Sequence, residues 1–128
     1  MKYQKITLKN GLRVILAPMQ DTDTATVLIM TGVGSRYESR AENGLAHFLE
    51  HMFFKGTERR PTTLDITKEL DGLGAEFNAF TGEEYTGYYA KVASKHWMTA
   101  LDVVSDLFLN AKLEQEENVD FFSVAGIT

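Results

Sequence analysis

The residues of this chain that could do chemistry together are His47, Glu50 and His51, in the stretch His47-Phe48-Leu49-Glu50-His51. On an α-helix, positions i and i+4 differ by about 40° of azimuth, so the two imidazoles project from one face. Two nitrogen donors then stand where one zinc ion accepts both at about 2.0–2.1 Å. Glu50 follows His47 by three residues, about 60° to its other side, so its carboxylate shares that face. A carboxylate beside a zinc-bound water can take its proton and later give one to a leaving amine. The bland alternative is a pair of partly buried structural histidines. A carboxylate-bridged di-iron bundle uses Glu-x-x-His on long helices, and no Glu stands three residues before His47 or His51. The third histidine, His96, reads as a surface residue.

A helix must carry this triplet, and the pattern supplies one. Asn43 is a suitable N-cap, Leu45, Phe48, Leu49, Met52 and Phe53 recur at helical spacing, and Gly56 is a C-terminal stop. Ahead of it the chain reads as β structure. Ile6 and Leu8 alternate with polar neighbours, Asn10-Gly11 signals a two-residue hairpin, and Val14 and Leu16 follow. Thr24 to Thr31 has no charge and many β-branched residues, as a strand buried on both faces would. Gly32-Val33-Gly34 is a tight turn; no third glycine makes it a nucleotide loop.

Beyond the triplet, Arg59-Arg60 reads as a solvated basic loop. Pro61 opens a second helix near Thr62 or Thr63, with Leu64, Ile66 and Leu70 apolar and Gly72 and Gly74 at its end. Glu76–Thr81 and Tyr85–Val92 form a hairpin across Gly82-Glu83-Glu84. Tyr85, Tyr88 and Tyr89 either pack or line a groove. A third helix spans Ser94 to Asn110, with Trp97, Leu101, Val104 and Phe108 as its core stripe. The order of elements gives an α+β class: a mixed, largely antiparallel sheet with helices packed on it.

The 128 residues fit one domain, and 44% apolar with 24% charged residues is ordinary globular usage. With no cysteine, a disulfide framework and a thiolate metal site are excluded. A net charge of −5 argues against bulk attraction to nucleic acid or an anionic membrane. Polar residues interrupt the start of the chain, so no secretory signal is read there, and no apolar run is long enough to span a bilayer. A cytoplasmic location is the expectation.

Several separated stretches resemble the insulinase-like (pitrilysin) zinc metallopeptidases, which include the mitochondrial processing peptidase. They are Gly34-Ser35-Arg36-Tyr37-Glu38, Asn43 through Thr57, Gly74 through Thr81, and Glu84 through Ala90, in order and at matching spacing. The opening strand around Ile6 and the turn Asn10-Gly11-Leu12-Arg13-Val14 agree as well. The central motif is the inverted zincin H-x-x-E-H. The resemblance implies a zinc metalloendopeptidase in which His47 and His51 ligate Zn2+ and Glu50 is the general base. It implies that Asn78 and its strand lie beside an extended peptide substrate paired to a sheet edge. It also implies a second homologous half or subunit that closes a chamber, with this chain as part of one half-domain.

The resemblance runs to Glu117. The third ligand of the family, a glutamate some seventy to eighty residues beyond the second histidine, falls in a window that opens at Phe121, where no carboxylate follows. Residues 1–117 therefore read as the N-terminal part of a metallopeptidase domain and 118–128 as a divergent tail, as truncation or a frameshift would leave. The chain alone is expected to be inactive or nearly so, with exposed apolar surface and a tendency to self-associate. The other function class left open is a non-catalytic peptide-binding or scaffolding subunit of the same family.

Overall fold

The computed structural model describes residues 2–32, 34, 36, 39–42, 44 and 54–111. The helix expected over the H-x-x-E-H motif and the tail from 118 onward lie outside the described residues. Two sheets are present among those described. The first is a hairpin of β1 (Gln4–Thr7) and β2 (Arg13–Leu16), antiparallel with Gln4 opposite Leu16. Its turn is one residue longer than Asn10-Gly11 alone suggests. Leu8 N–H donates to Leu12 O and Gly11 N–H to Leu8 O, so the loop is Lys9-Asn10-Gly11. Gly11 sits at φ +91°, the left-handed residue that such three-residue loops need.

The second sheet positions everything else. Its strands are β3 (Thr24–Thr31), β4 (Glu76–Thr81) and β5 (Thr86–Ala93), all antiparallel, in the order β3-β5-β4. The β4–β5 turn closes with Gly82 N–H donating to Tyr85 O at 2.8 Å, which sets the register: Phe80 faces Gly87, Ala79 faces Tyr88, and Asn78 faces Tyr89. Phe80 lies across Gly87 so closely that a Cβ there would meet its ring at 2.3 Å. Tyr85 meets the same ring edge-on, with centroids 6.2 Å apart.

Helices cover one face of this sheet. Helix α1 (Thr63–Gly72) starts with a complete capping box: Asp65 N–H donates to the Thr62 hydroxyl oxygen, and Thr62 N–H donates to the Asp65 carboxylate. Helix α2 (Trp97–Leu109) follows a short 3-10 turn, Ser94–His96, and packs on β3 and β5. The core joins Ile66 and Leu70 of α1, Tyr88, Ala90 and Val92 of β5, and Ala100, Val103, Val104 and Leu107 of α2.

Two expectations about burial are corrected. Helix α2 buries only half of the Trp97-Leu101-Val104-Phe108 stripe: Val104 is in the core and Phe108 packs against it, but Trp97 and Leu101 are exposed, at 49% and 39%. The buried line is Ala100-Val103-Val104-Leu107, with Ala100 its smallest member. Strand β3 is not buried on both faces either. Val27 and Ile29 pack on the core, but Leu28 and Met30 are exposed with Phe80 on the other face, which no described element covers. No helix among the described residues is long and apolar enough to cross a membrane.

The two faces of α2 give a clean comparison. Leu107→Ala is expected to cost about 2–5 kcal/mol, and Leu101→Ala about 0.5 kcal/mol, in urea unfolding of the same chain. Equal losses would show that the buried line has been drawn on the wrong side of the helix.

Candidate active site

Of the residues singled out by the sequence, His47, Glu50 and His51 lie outside the described residues and Asn78 lies within them. Asn78 is exposed on β4, which pairs with β5 on one side and with no other described strand on the other. Antiparallel pairs alternate between exchanging their backbone bonds and pointing them outward. Counting from the Gly82–Tyr85 bond, Ala79 is an outward-pointing residue, so its N–H faces the open edge. The Asn78 amide oxygen accepts from that N–H at 2.8 Å. Asn78 therefore caps a sheet-edge donor with its own side chain.

Phe54 is three residues past His51 in the sequence, and from Phe54 to Arg60 the chain is heavily anchored. The Thr63 hydroxyl donates to Phe54 O at 2.9 Å. The Phe54 ring lies 6.4 Å from that of Tyr88, and Tyr88 lies 6.0 Å from Phe108. Gly56 holds φ +139°, and a Cβ there would stand 2.3 Å from Pro61 O, so only glycine fits. Thr57 is fully buried, its N–H donating to Arg60 O at 2.7 Å and its hydroxyl to Asp106 Oδ2 at 2.7 Å.

Arg60 is the centre of this loop, and it corrects the reading of Arg59-Arg60 as a solvated patch. Its side chain is 6% exposed. Nε and Nη2 donate to the two oxygens of Glu69 at 2.6 and 3.0 Å, Nη1 to Asp106 at 2.7 Å, and Nη2 to Asp102 at 2.9 Å. Arg59 does stay exposed, gripping Asp102 with both Nη atoms at 3.0 and 2.8 Å. Helix periodicity carried a signal for this cluster: Asp102 and Asp106 are four apart and so share one side of the helix, where one cation can meet both.

The charges shift as this geometry requires. Hydrogen bonds from Arg59 and Arg60 hold the Asp102 carboxyl down at about 2. Burial pushes Asp106 upward, but donors from Thr57, Asn110 and Arg60 outweigh it and leave its value lowered. The bidentate bond to Glu69 raises Arg60, so it stays charged.

A second contact ties the loop after β3 to the β4–β5 turn. Arg36 pairs with Glu84, and its N–H donates to Glu83 O at 2.8 Å. Gly34 permits the approach, since a Cβ there would stand 2.5 Å from Glu83 O. Among the described residues no three His, Cys, Asp or Glu side chains converge as a metal site.

Comparison with known proteins agrees with this frame. Residues 13–120 match the family model described as Insulinase (Peptidase family M16). The chain belongs to this peptidase family. It is 46% identical over 110 residues to an "uncharacterized zinc protease" of Rickettsia felis, covering 86% of this chain and 26% of that protein. It is 47% identical over 110 residues to the probable mitochondrial-processing peptidase subunit beta of Arabidopsis thaliana, covering 86% of this chain and 20% of that one. The crystal structure of a protease from Helicobacter pylori superposes with a TM-score of 0.86 at 30% identity, over 96% of this chain and 30% of that one. The chain thus spans about a quarter of the length of these relatives, and its α+β fold matches part of that protease.

The Arg60 cluster makes a prediction about acid. Asp102 and Asp106 titrate lower in the folded chain than the usual value of about 3.9. The stabilisation from Asp102 is therefore complete above about pH 4 and lost as pH falls toward about 2, and the lowered Asp106 adds a loss in the same direction. Thermal midpoints measured from pH 2 to 6 should fall across that window, and Asp102→Asn should flatten the slope. An unchanged slope would remove the cluster from the account. Arg60→Met leaves Asp106 buried beside no cation and is expected to cost about 3–5 kcal/mol in urea unfolding.

Proposed function

We propose that the protein carrying this sequence is a zinc metalloendopeptidase that cuts extended or unfolded polypeptide. The observation that carries the reading is the H-x-x-E-H stretch at 47–51 in a chain of the insulinase family, whose relatives include named zinc proteases. His47 and His51 hold the metal through neutral imidazole nitrogens, a donor set that suits zinc. Bound there, zinc supplies a Lewis acid that polarises a peptide carbonyl and makes water acidic enough to attack it. Glu50 accepts the proton of the attacking water and returns it to the leaving amine. A catalytic zinc takes three protein ligands, and the window in which the resemblance puts the third holds no carboxylate over residues 121–128.

The substrate strand adds to the open edge of β4. Ala79 N–H, held by the Asn78 amide oxygen, is a donor facing that edge. A peptide carbonyl that takes this donor releases the Asn78 amide to bond the peptide backbone in turn. Asn78 is thus the substrate-binding residue of the reading. A second homologous half or subunit completes the enclosure; one relative is itself named as a subunit of a processing peptidase.

Glu50→Gln in the full-length protein should abolish turnover of an unstructured fluorogenic peptide while leaving zinc bound. The 128-residue chain alone should bind zinc weakly and show no turnover. Glu50-dependent turnover by the short chain would overturn the claim that its site is incomplete. Full activity in the full-length Glu50→Gln variant would overturn the assignment of Glu50 as the base, and a wild-type protein that binds the peptide without cutting it would leave peptide binding without catalysis.

A further inference from the structure

We infer that Arg36 is a positioning residue for peptide binding: with Gly34 it clasps the β4–β5 turn and holds the neighbouring β4 edge ready to pair. The inference rests on the reading that a substrate strand adds to that edge. It starts from three ties that converge on one turn. The Arg36 guanidinium pairs with the Glu84 carboxylate, and the Arg36 backbone N–H donates to Glu83 O at 2.8 Å. Gly34 lies so near that a Cβ on it would stand 2.5 Å from Glu83 O and 2.6 Å from Gly82 O. The tip of the hairpin, Gly82 to Glu84, is thus held from outside the hairpin.

The place of this clasp in the sheet gives it a use. Thr31, Thr86 and Thr81 stand abreast where β3, β5 and β4 reach the same end of the sheet. Arg36 follows β3 yet bonds to the turn beside β4, so it bridges that end from one outer strand to the other. The Gly82–Tyr85 bond and the Phe80–Tyr85 ring contact are internal to the hairpin and tie nothing outside it to its tip. The clasp does. Among the described residues β4 has one strand neighbour, β5, and Ala79, whose N–H faces the open edge, is three residues from Gly82. Strand addition orders an edge, and an edge already ordered loses less of the binding free energy to that ordering. The Arg36–Glu84 pair is exposed, and such a pair contributes little to global stability. The effect of Arg36 therefore falls on peptide binding rather than on folding.

The test follows cleavage of an unstructured fluorogenic peptide by the full-length protein. Arg36→Ala is expected to raise KM about fivefold, with kcat within about twofold and the thermal midpoint unchanged. A rise in KM alone marks the loss of binding shared by ground and transition states. Arg36→Glu should do at least the same, and adding Glu84→Arg to it should recover most of the loss by restoring the pair in reverse. Without peptide, amide exchange in Arg36→Ala should quicken over residues 79–85 and stay as in wild type over α2. Gly34→Ala, which drives a Cβ into Glu83 O, should raise KM at least as far. Wild-type KM in a folded Arg36→Ala protein overturns the inference. So does a loss carried by kcat, a rise in KM that the reversed pair leaves in place, or exchange that quickens throughout the chain. If Arg36→Ala does not fold, Glu84→Gln decides by the same readouts. Failure of the strand reading looks different. Saturating peptide, added to the Glu50→Gln protein, would then leave the Ala79 amide exchanging as fast as without it, and the inference would fall with the reading.

Discussion

The buried guanidinium of Arg60 is the constraint on which the described structure turns. It is a full positive charge with 6% of its side chain in contact with solvent, and it is tolerable only because three carboxylates meet it. Each of those carboxylates sits on a helix whose other face makes the core. Glu69 is one residue before the buried Leu70, and Asp106 is one residue before the buried Leu107. The helices therefore cannot slide along the sheet without breaking the cluster, and the cluster cannot relax without moving the helices. The loop that follows the H-x-x-E-H motif is held in the same grip, through Thr57 and through Arg60 itself.

Around that fixed point the rest is arranged by simple rules. The sheet presents its alternate residues to two different environments. Val27, Ile29, Phe77, Ala79, Tyr88, Ala90 and Val92 meet the helices, while Leu28, Met30, Asn78 and Phe80 lie on the open side. The β4 edge is left with a donor that its own neighbour caps, which blunts that edge against pairing with another chain. The loop after β3 is stitched to the β4–β5 turn by Arg36, Glu83 and Glu84, next to that same hairpin.

Much of this was legible in the residues. The hairpin signals at Asn10-Gly11 and Gly82-Glu83-Glu84, the start of α1 after Pro61 and the family motifs all follow local rules that a sequence carries directly. The misreadings share a cause. Arg60 looks like a loop arginine until the acids on two distant helices are brought to it. Trp97 and Leu101 look like core because size and spacing say so, and only the docking of α2 reveals that Ala100 marks its near side. Strand β3 looks doubly buried because its composition is apolar, whereas burial depends on which layers are present to cover it. That the Ala79 N–H held by Asn78 faces the open edge depends on strand register, which no single residue records.

The central claim is that His47 and His51 hold a zinc ion in the intact protein. Its most direct test is metal content after extensive dialysis, measured on full-length protein purified without added metal, alongside His47→Ala and His51→Ala. The account predicts close to one zinc per chain in the wild type, removable by a chelator, and a loss of that zinc in both variants. Wild-type protein that retains no zinc, or variants that retain as much as the wild type, would contradict it.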